Sequence, residues 1–307
     1  MTAPPRERCP TALPARQPLF VSRGQPLTQE LTAPDLAKTG RSGDLAGRTA
    51  LVTGAGNGLG RAIAVALAGA GARVILTGRT TGTLRETADL IASRCHGDAP
   101  GPARIAPADV SAPESVGDLL DSLAEEDVEI LVNNAGIGGP VKALTDISPP
   151  EWDEVFGANV RSVYLMCRAF LPGMYRRARA GHQGDVINIA SVTGKRPLTR
   201  RTPYAASKMA VLGLTRTLAF EAGPLGVRVN SLSPGPCHGE RMTRNFTAEA
   251  AATGTSYAAA EEAYVSRAAL HRLVAEEEVA LAVLAMLRMP GLCGADIDLS
   301  AGMIAPA

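Results

Sequence analysis

The chain lacks any apolar run of the roughly 18–20 residues needed to cross a bilayer, so no membrane-spanning helix is expected. It lacks a bias of charge: 31 basic residues stand against 30 acidic ones, a net +1 at neutral pH. That balance removes the electrostatic argument for nucleic acid or an anionic membrane as a partner. It also lacks a C-x-x-C pair and any histidine at zinc-finger spacing from a cysteine, so no metal site is expected. Its cysteines, Cys9, Cys95, Cys167, Cys237 and Cys293, are scattered and odd in number. They read as free thiols in a reducing compartment. Residues 1–20 contain no apolar stretch of signal-peptide type, so the cytoplasm is the expected location.

What is present is a chain of 307 residues with 46% hydrophobic content, enough for one large α/β domain or two small ones around a buried core. Residues 1–44 differ from the rest, with Pro4, Pro5, Pro10, Pro14, Pro18, Pro26 and Pro34 spread through them. Helical periodicity does not survive that density of proline. The stretch is expected to be a disordered tail, or else an arm that docks on the body or on a neighbouring subunit through Leu19, Phe20 and Val21.

From Gly47 onward, short apolar runs alternate with segments of helix length. The runs are Ala50–Thr53, Val74–Thr77, Arg104–Ala108, Ile130–Asn133, Val186–Ala190, Val227–Ser233 and Ile297–Leu299. Rich in Val and Ile and bounded by Gly, Pro, Asn or Asp, they suit strands buried on both faces. Helices are expected near 60–70, 83–94, 113–125, 151–179, 203–222 and 276–288. Alternation of this kind implies right-handed βαβ units and a parallel sheet. One α/β domain over residues 45–307 accounts for it: a doubly wound (Rossmann) parallel sheet of about seven strands with helices on both faces.

The first run ends in Thr53-Gly54-Ala55-Gly56-Asn57-Gly58-Leu59-Gly60 and enters an Ala-rich helix. Glycines let the backbone turn tightly and approach a pyrophosphate, and a helix N-terminus supplies N–H groups and partial positive charge. A Gly-rich turn between a strand and a helix is the context such a site needs. The next strand runs into Gly78-Arg79-Thr80 with no carboxylate to grip a ribose 2′-hydroxyl. Arg79 can instead meet a 2′-phosphate, which favours NADP(H) and leaves NAD(H) as the alternative.

Tyr204 and Lys208 stand at i and i+4 in a helical segment, on one face. Hydride addition to a carbonyl leaves an alkoxide that needs a proton. A free tyrosine with a pKa near 10 is a poor base at neutral pH, and a neighbouring ammonium stabilises its phenolate. Ser191, at the end of the Val186–Ala190 run, can donate to a substrate oxygen. Asn133-Asn134-Ala135-Gly136 ends the fourth run on the same edge, and Asn159 opens or interrupts the long helix that follows.

With these elements in order, residues 45–305 resemble the single-domain short-chain dehydrogenase/reductase family. The motifs that carry the likeness are Thr53-Gly54-x-x-x-Gly58-x-Gly60, Asp109-Val110, Asn133-Asn134-Ala135-Gly136, Asn159, Ser191, Tyr204-x-x-x-Lys208 and Pro234-Gly235. The resemblance implies that Tyr204 is the general acid/base, that Ser191 polarises the substrate carbonyl, and that Lys208 holds the nicotinamide ribose and tunes Tyr204. It implies that Asn159 holds a water linking Lys208 to solvent. It places Asp109 and Val110 beside the adenine, Asn134 in the cofactor cleft, and Pro234-Gly235 near the carboxamide. Gly54, Gly56, Asn57, Gly58, Leu59 and Gly60 form the phosphate turn. A homotetramer or homodimer built on helix packing is also implied. Two departures stand out: the run after Pro234-Gly235 places Thr243 late, and Asn57 stands where many NADP-dependent members carry a basic residue.

A stretch at about 237–270, with His238, Arg241, Arg244, Phe246, Tyr257 and Tyr264, has no strand pattern and is expected to form a helical lid. The loop before Tyr204 carries Lys195, Arg196, Arg200 and Arg201. Four cations beside the site suggest an anionic or carrier-bound carbonyl/alcohol substrate; a solvated basic loop, or one touching another subunit, is the alternative. His96 and His182 are expected in loops and His271 in a helix, all at the surface. Trp152 and Phe156, four apart on a helix, are expected to serve packing rather than binding. Two other functions compete: a catalytically silent dinucleotide-binding regulator, and an epimerase or dehydratase relative. The first is disfavoured because Asn159, Ser191, Tyr204 and Lys208 are all present. The second is disfavoured by the form of the Gly turn and the chain length.

Overall fold

Alternating β-branched runs and amphipathic segments fold here into a parallel sheet covered on both faces. The computed structural model describes residues 44–94, 102–196 and 198–303. The Pro-rich stretch below residue 44, Cys95 and His96 lie outside the described residues.

The strands are β1 (Thr49–Thr53), β2 (Arg73–Thr77), β3 (Arg104–Ile105), β4 (Val128–Asn133), β5 (Gly184–Ile189), β6 (Val227–Pro234) and β7 (Asp296–Leu299). The helices are α1 (Gly58–Gly69), α2 (Thr81–Arg94), α3 (Pro113–Ser122), α4 (Pro149–Phe156), α5 (Ser162–Arg179), α6 (Thr202–Ala222), α7 (Glu240–Thr253), α8 (Tyr257–Val265) and α9 (Glu276–Leu287). The sheet runs β3-β2-β1-β4-β5-β6-β7, parallel throughout. The expected α/β class, parallel topology and seven strands are all present.

Successive strand residues face opposite sides, and the core divides accordingly. Ala50 and Val52 of β1 pack with Ile63 and Leu67 of α1, Leu84 of α2 and Val283 of α9. Leu51 and Leu131 face the other way, toward Leu119 of α3, Met166 and Phe170 of α5 and Val211 of α6. All of β1, β4 and β5 are buried, which explains why their sequences are near-continuous apolar runs. Each such Leu or Ile contributes about 1.5–3 kcal/mol by leaving water.

The chain winds from β1 out to β3, then crosses back to β4 and winds the other way. Connections above β1 and β4 therefore diverge, opening a crevice at the C-terminal edge of the sheet. At the opposite edge Asp185 is 1% exposed and ion-paired to Arg48 at 2.8 Å and Arg228 at 2.7 Å.

The structure revises some expectations. The third run was expected over Arg104–Ala108, but only Arg104–Ile105 joins the ladder; beyond it, Ala106 and Ala108 bond singly to Leu76 and Gly78 carbonyls, as an edge strand allows. The helix expected over 151–179 is divided by a π turn over Gly157–Arg161. Its first part is set by Ser148, whose hydroxyl and backbone share a capping box with Glu151. His271 is in a bend at φ 47°, not a helix. Trp152 and Phe156 do stack, with ring centroids 4.8 Å apart.

Residues 238–273 form α7 and α8 around a small core of their own, where Phe246 meets Tyr257 and Tyr264 edge-on at 5.7 and 5.6 Å. The segment is stitched at its base: Val274 donates to Pro236 O and His238 donates to Val274 O, both at 2.9 Å. Among the described residues no helix is long and apolar enough to cross a membrane.

Candidate active site

The crevice above β1 and β4 is a cleft of about 540 Å³. A larger hollow of about 700 Å³ lies between α3 and α5, but it gathers none of the chemistry-bearing residues named above.

At one end of the cleft, β1 passes into α1. Gly54 has φ +65°, and a Cβ there would lie 3.0 Å from Asn134 Nδ2; a side chain at Gly60 would collide with the Gly54 carbonyl, and one at Gly56 with Thr83. These three glycines therefore close the turn on itself. Gly58, at φ +53°, differs: the one atom within 4 Å of a Cβ there is Glu276 Oε1 at 3.6 Å, so its outer side faces the cleft. Asn57 is the N-cap of α1 yet makes no side-chain cap bond. The first N–H groups of the helix thus remain to meet an anion, and the turn fits a pyrophosphate. Leu59 lines the same end. Asn134 also lines the cleft, but its amide is committed to the turn: Nδ2 donates to Thr53 O at 3.0 Å, and its backbone N–H donates to Thr53 Oγ1 at 2.9 Å.

Arg79, Asp109 and Val110 follow β2 and β3 and stand outside the hollow itself. Arg79 is exposed and Val110 buried. Asp109 Oδ1 accepts from Ser111 Oγ at 2.6 Å and Ser111 N at 2.9 Å. These bonds, assisted by Arg79 and Arg161, hold its carboxyl below the usual range.

At the other end stand Ser191, Tyr204 and Lys208, all lining the cleft. Ser191 follows β5; its Oγ accepts from Thr193 N at 3.2 Å, which leaves the hydroxyl proton to be donated. Tyr204 and Lys208 share one face of α6, 7% and 6% exposed. Lys208 Nζ donates to Ile189 O at 2.8 Å and stands 5.9 Å from the Tyr204 ring centre. Asn159 lies behind them, fully buried in the π turn. Its Oδ1 accepts from Ile137 N at 2.7 Å, and its Nδ2 donates to Ile137 O and Ser207 Oγ, both at 3.0 Å. A Cβ at Gly136 would lie 2.7 Å from Asn159 Oδ1, so glycine there lets Asn159 approach, while Lys208 Nζ stands 3.7 Å from the same position. Pro234 and Gly235 form the remaining wall; Gly235 donates to Leu299 O at 2.8 Å, and a Cβ there would strike Ser300.

The basic loop is less free than its composition suggests. Lys195 is ion-paired to Asp296 at 2.5 Å and to Asp298 of β7, and Arg196 donates to Met303 O at 2.9 Å. Arg200 is exposed, and the Arg201 guanidinium lies over the Tyr204 ring at 5.5 Å. Carboxylates meet the charge of Lys195, so the four-cation field reduces to its three arginines. From α8, Tyr264 comes under the charges of Arg201, Arg267 and Arg196, but burial outweighs them and raises its phenol's pKa.

Residues 48–251 match the short chain dehydrogenase family. The chain belongs to that family. Among the relatives of this short-chain dehydrogenase, the 3-oxoacyl-acyl-carrier-protein reductase of Vibrio cholerae is 36% identical over 194 residues, 62% of this chain and 74% of its own. The 2-dehydro-3-deoxy-D-gluconate 5-dehydrogenase of Bacillus subtilis is 40% identical over 195 residues, 62% of this chain and 71% of its own. In structure, the L-sorbose reductase of Gluconobacter frateurii, solved with NADPH and L-sorbose, superposes with TM-score 0.78 at 25% identity, covering 86% of this chain and 98% of that one. These relatives are a reductase, a dehydrogenase and a further reductase by name, the last solved with NADPH.

Two residues of the cleft have a placement that the sequence does not explain. Gly136 stood inside a recognised motif, but the reason for glycine there appears only with Asn159 and Lys208 packed against it. Glu276 is one of three consecutive glutamates, and nothing in the sequence tells which of them faces inward.

Proposed function

We propose that this chain transfers a hydride between NADP(H), in preference to NAD(H), and a ketone or secondary alcohol, with Tyr204 as general acid/base. The observation that carries the reading is the convergence of Ser191, Tyr204 and Lys208 at one end of a cleft whose other end is the uncapped N-terminus of α1. A nicotinamide bound there supplies or accepts the hydride. Ser191 donates its hydroxyl proton to the substrate oxygen. Tyr204 gives a proton to that oxygen on reduction and takes one on oxidation. The Lys208 ammonium favours the phenolate and holds the nicotinamide ribose. Asn159, whose amide is committed to Ile137 and Ser207, shapes the wall beside Lys208 through which the proton reaches solvent.

Arg79, exposed beyond β2 with no carboxylate in its place, supports recognition of a 2′-phosphate. Asp109 and Val110 form the adenine end, and Gly54–Gly60 seat the pyrophosphate. The substrate is small, and anionic or carrier-bound: the Arg201 guanidinium stands 5.5 Å from the Tyr204 ring centre, and the Vibrio cholerae relative is named for a carrier-bound substrate. The 237–270 segment closes over it as a lid. Assembly into a homodimer or homotetramer is supported by Tyr164 on α5 and Met209 and Phe220 on α6, which are exposed apolar side chains. A panel of neutral and anionic ketones, followed at 340 nm with NADPH and NADH in parallel, tests the reading. Turnover with NADPH is expected; no oxidation of either cofactor with any carbonyl would overturn it.

A further inference from the structure

Tyr204 and Lys208 are held by α6, whereas Ser191 follows the end of β5 and is placed by the loop it begins. Its carbonyl accepts from Gly194 N at 3.0 Å and its hydroxyl oxygen from Thr193 N at 3.2 Å, closing a single turn over Val192–Gly194. On one side this turn lies against α6: a Cβ on Gly194 would stand 3.0 Å from the Lys208 carbonyl carbon and from the Met209 nitrogen. On the other side the next two residues reach β7 and the turn beyond it. Lys195 Nζ donates to Asp296 at 2.5 Å and to Asp298, and the Arg196 guanidinium donates to Met303 O at 2.9 Å. Asp296 is itself braced. Its side chain is 7% exposed, and its Oδ1 accepts from Ser231 Oγ at 2.9 Å and Ser233 Oγ at 2.8 Å, both on β6. The same stretch supports two other walls: Leu299 O accepts from Gly235 N at 2.8 Å, and Ala301 O accepts from Leu270 N at 3.0 Å at the end of the lid segment.

We propose that Lys195 is a positioning residue for Ser191, its ion pairs with Asp296 and Asp298 setting where the serine hydroxyl stands at the cleft. The proposal rests on the reading of Ser191 as the donor to the substrate oxygen. Backbone bonds within the turn fix its shape; the Lys195 ammonium ties that shape to a carboxylate that β6 holds in place. The Asp296 side of the pair is shielded from water, so salt screens it less than a surface pair. Lys195 does not line the cleft, and its influence runs through the turn. A donor misplaced by about 1 Å can cost on the order of 100-fold in rate.

The test is single-turnover kinetics and NADPH titration on the full chain, with the best carbonyl of the panel above as substrate. Lys195→Met is expected to lower the rate about tenfold while cofactor Kd stays within about twofold, and Lys195→Arg to recover most of the loss. Asp298→Asn, which keeps the Asp296 pair, is expected to lose about threefold and carries the same comparison if Lys195→Met does not fold. The deciding arm is a double-mutant cycle. In a Ser191→Ala background no hydroxyl remains to be placed, so Lys195→Met is expected to change the rate by less than about twofold. A general loosening of the fold would cost about tenfold in both backgrounds. If wild type turns over no carbonyl, or Ser191→Ala works at the wild-type rate, the reading of Ser191 fails and this proposal with it. If Ser191 behaves as read but Lys195→Met keeps its rate, or loses as much in the Ser191→Ala background, the positioning role alone is overturned.

Discussion

The Lys208 ammonium stands 5.9 Å from the centre of the Tyr204 ring, held there by the Ile189 carbonyl at 2.8 Å. Both side chains are buried, so the cation acts on the phenol through a medium less screening than water. Tyr204→Phe removes the proton and keeps the ring. It is expected to lower kcat by about 100-fold or more while leaving cofactor affinity nearly unchanged. Single-turnover rates beside a cofactor titration check this.

Gly58 and Gly60 lie two residues apart and should fail differently. A methyl group on Gly60 meets the Gly54 backbone, so Gly60→Ala is expected to destabilise the fold by about 1–3 kcal/mol. Gly58→Ala meets open cleft and pays only the cost of a left-handed residue, about 1 kcal/mol, yet it crowds the phosphate seat. Cofactor Kd should rise about tenfold with a nearly unchanged melting curve. Thermal unfolding and titration of both variants separate the two effects.

Asp185 lies at the other edge of the sheet, between Arg48 and Arg228. Asp185→Asn removes the carboxylate shared by the half-buried Arg48 and Arg228, leaving Arg48 with Glu129 at 4.0 Å, and is expected to cost about 1–3 kcal/mol, lowering Tm by on the order of 5 °C. The remaining folded protein should turn over at the wild-type rate, because the site is at the opposite strand ends. Activity normalised to folded fraction checks this.

Burial pushes the Cys167 thiol up to about 12, opposed only in part by its hydrogen bond from Asn133. Thiolate is the reactive form. Cys167 should resist iodoacetamide in the native state at pH 8, whereas exposed Cys293 is alkylated. Peptide mass mapping distinguishes them, and Cys167 should label only after denaturation.

Much of the fold was legible because strands buried on both faces must be apolar, and turns between them need Gly, Asn or Asp. Ala50–Thr53 and Ile130–Asn133 carry that signal directly. The Tyr204–Lys208 pair was legible because helical spacing alone puts i and i+4 together. What escaped depends on contacts far apart in the chain. Lys195 reads as a free cation until β7 brings Asp296 and Asp298 beside it. The π turn at Asn159 leaves no periodic mark in the sequence, because a single wider turn barely disturbs the apolar pattern on either side. Edge strand β3 looked longer than its ladder, since Ala106 and Ala108 are as apolar as paired residues.

The 238–273 segment leaves and re-enters the body at one point, where Pro236 and His238 clasp Val274. It is tied once more near its end, where Leu270 donates to Ala301 O at 3.0 Å and Ala269 to Gly302 O at 3.4 Å, so the stretch before residue 269 can be lengthened, shortened or exchanged without shifting any strand by a residue. Grafting the corresponding stretch from a relative between those anchors is accordingly the economical way to change what the cleft admits, since Ser191, Tyr204 and Lys208 are rooted elsewhere.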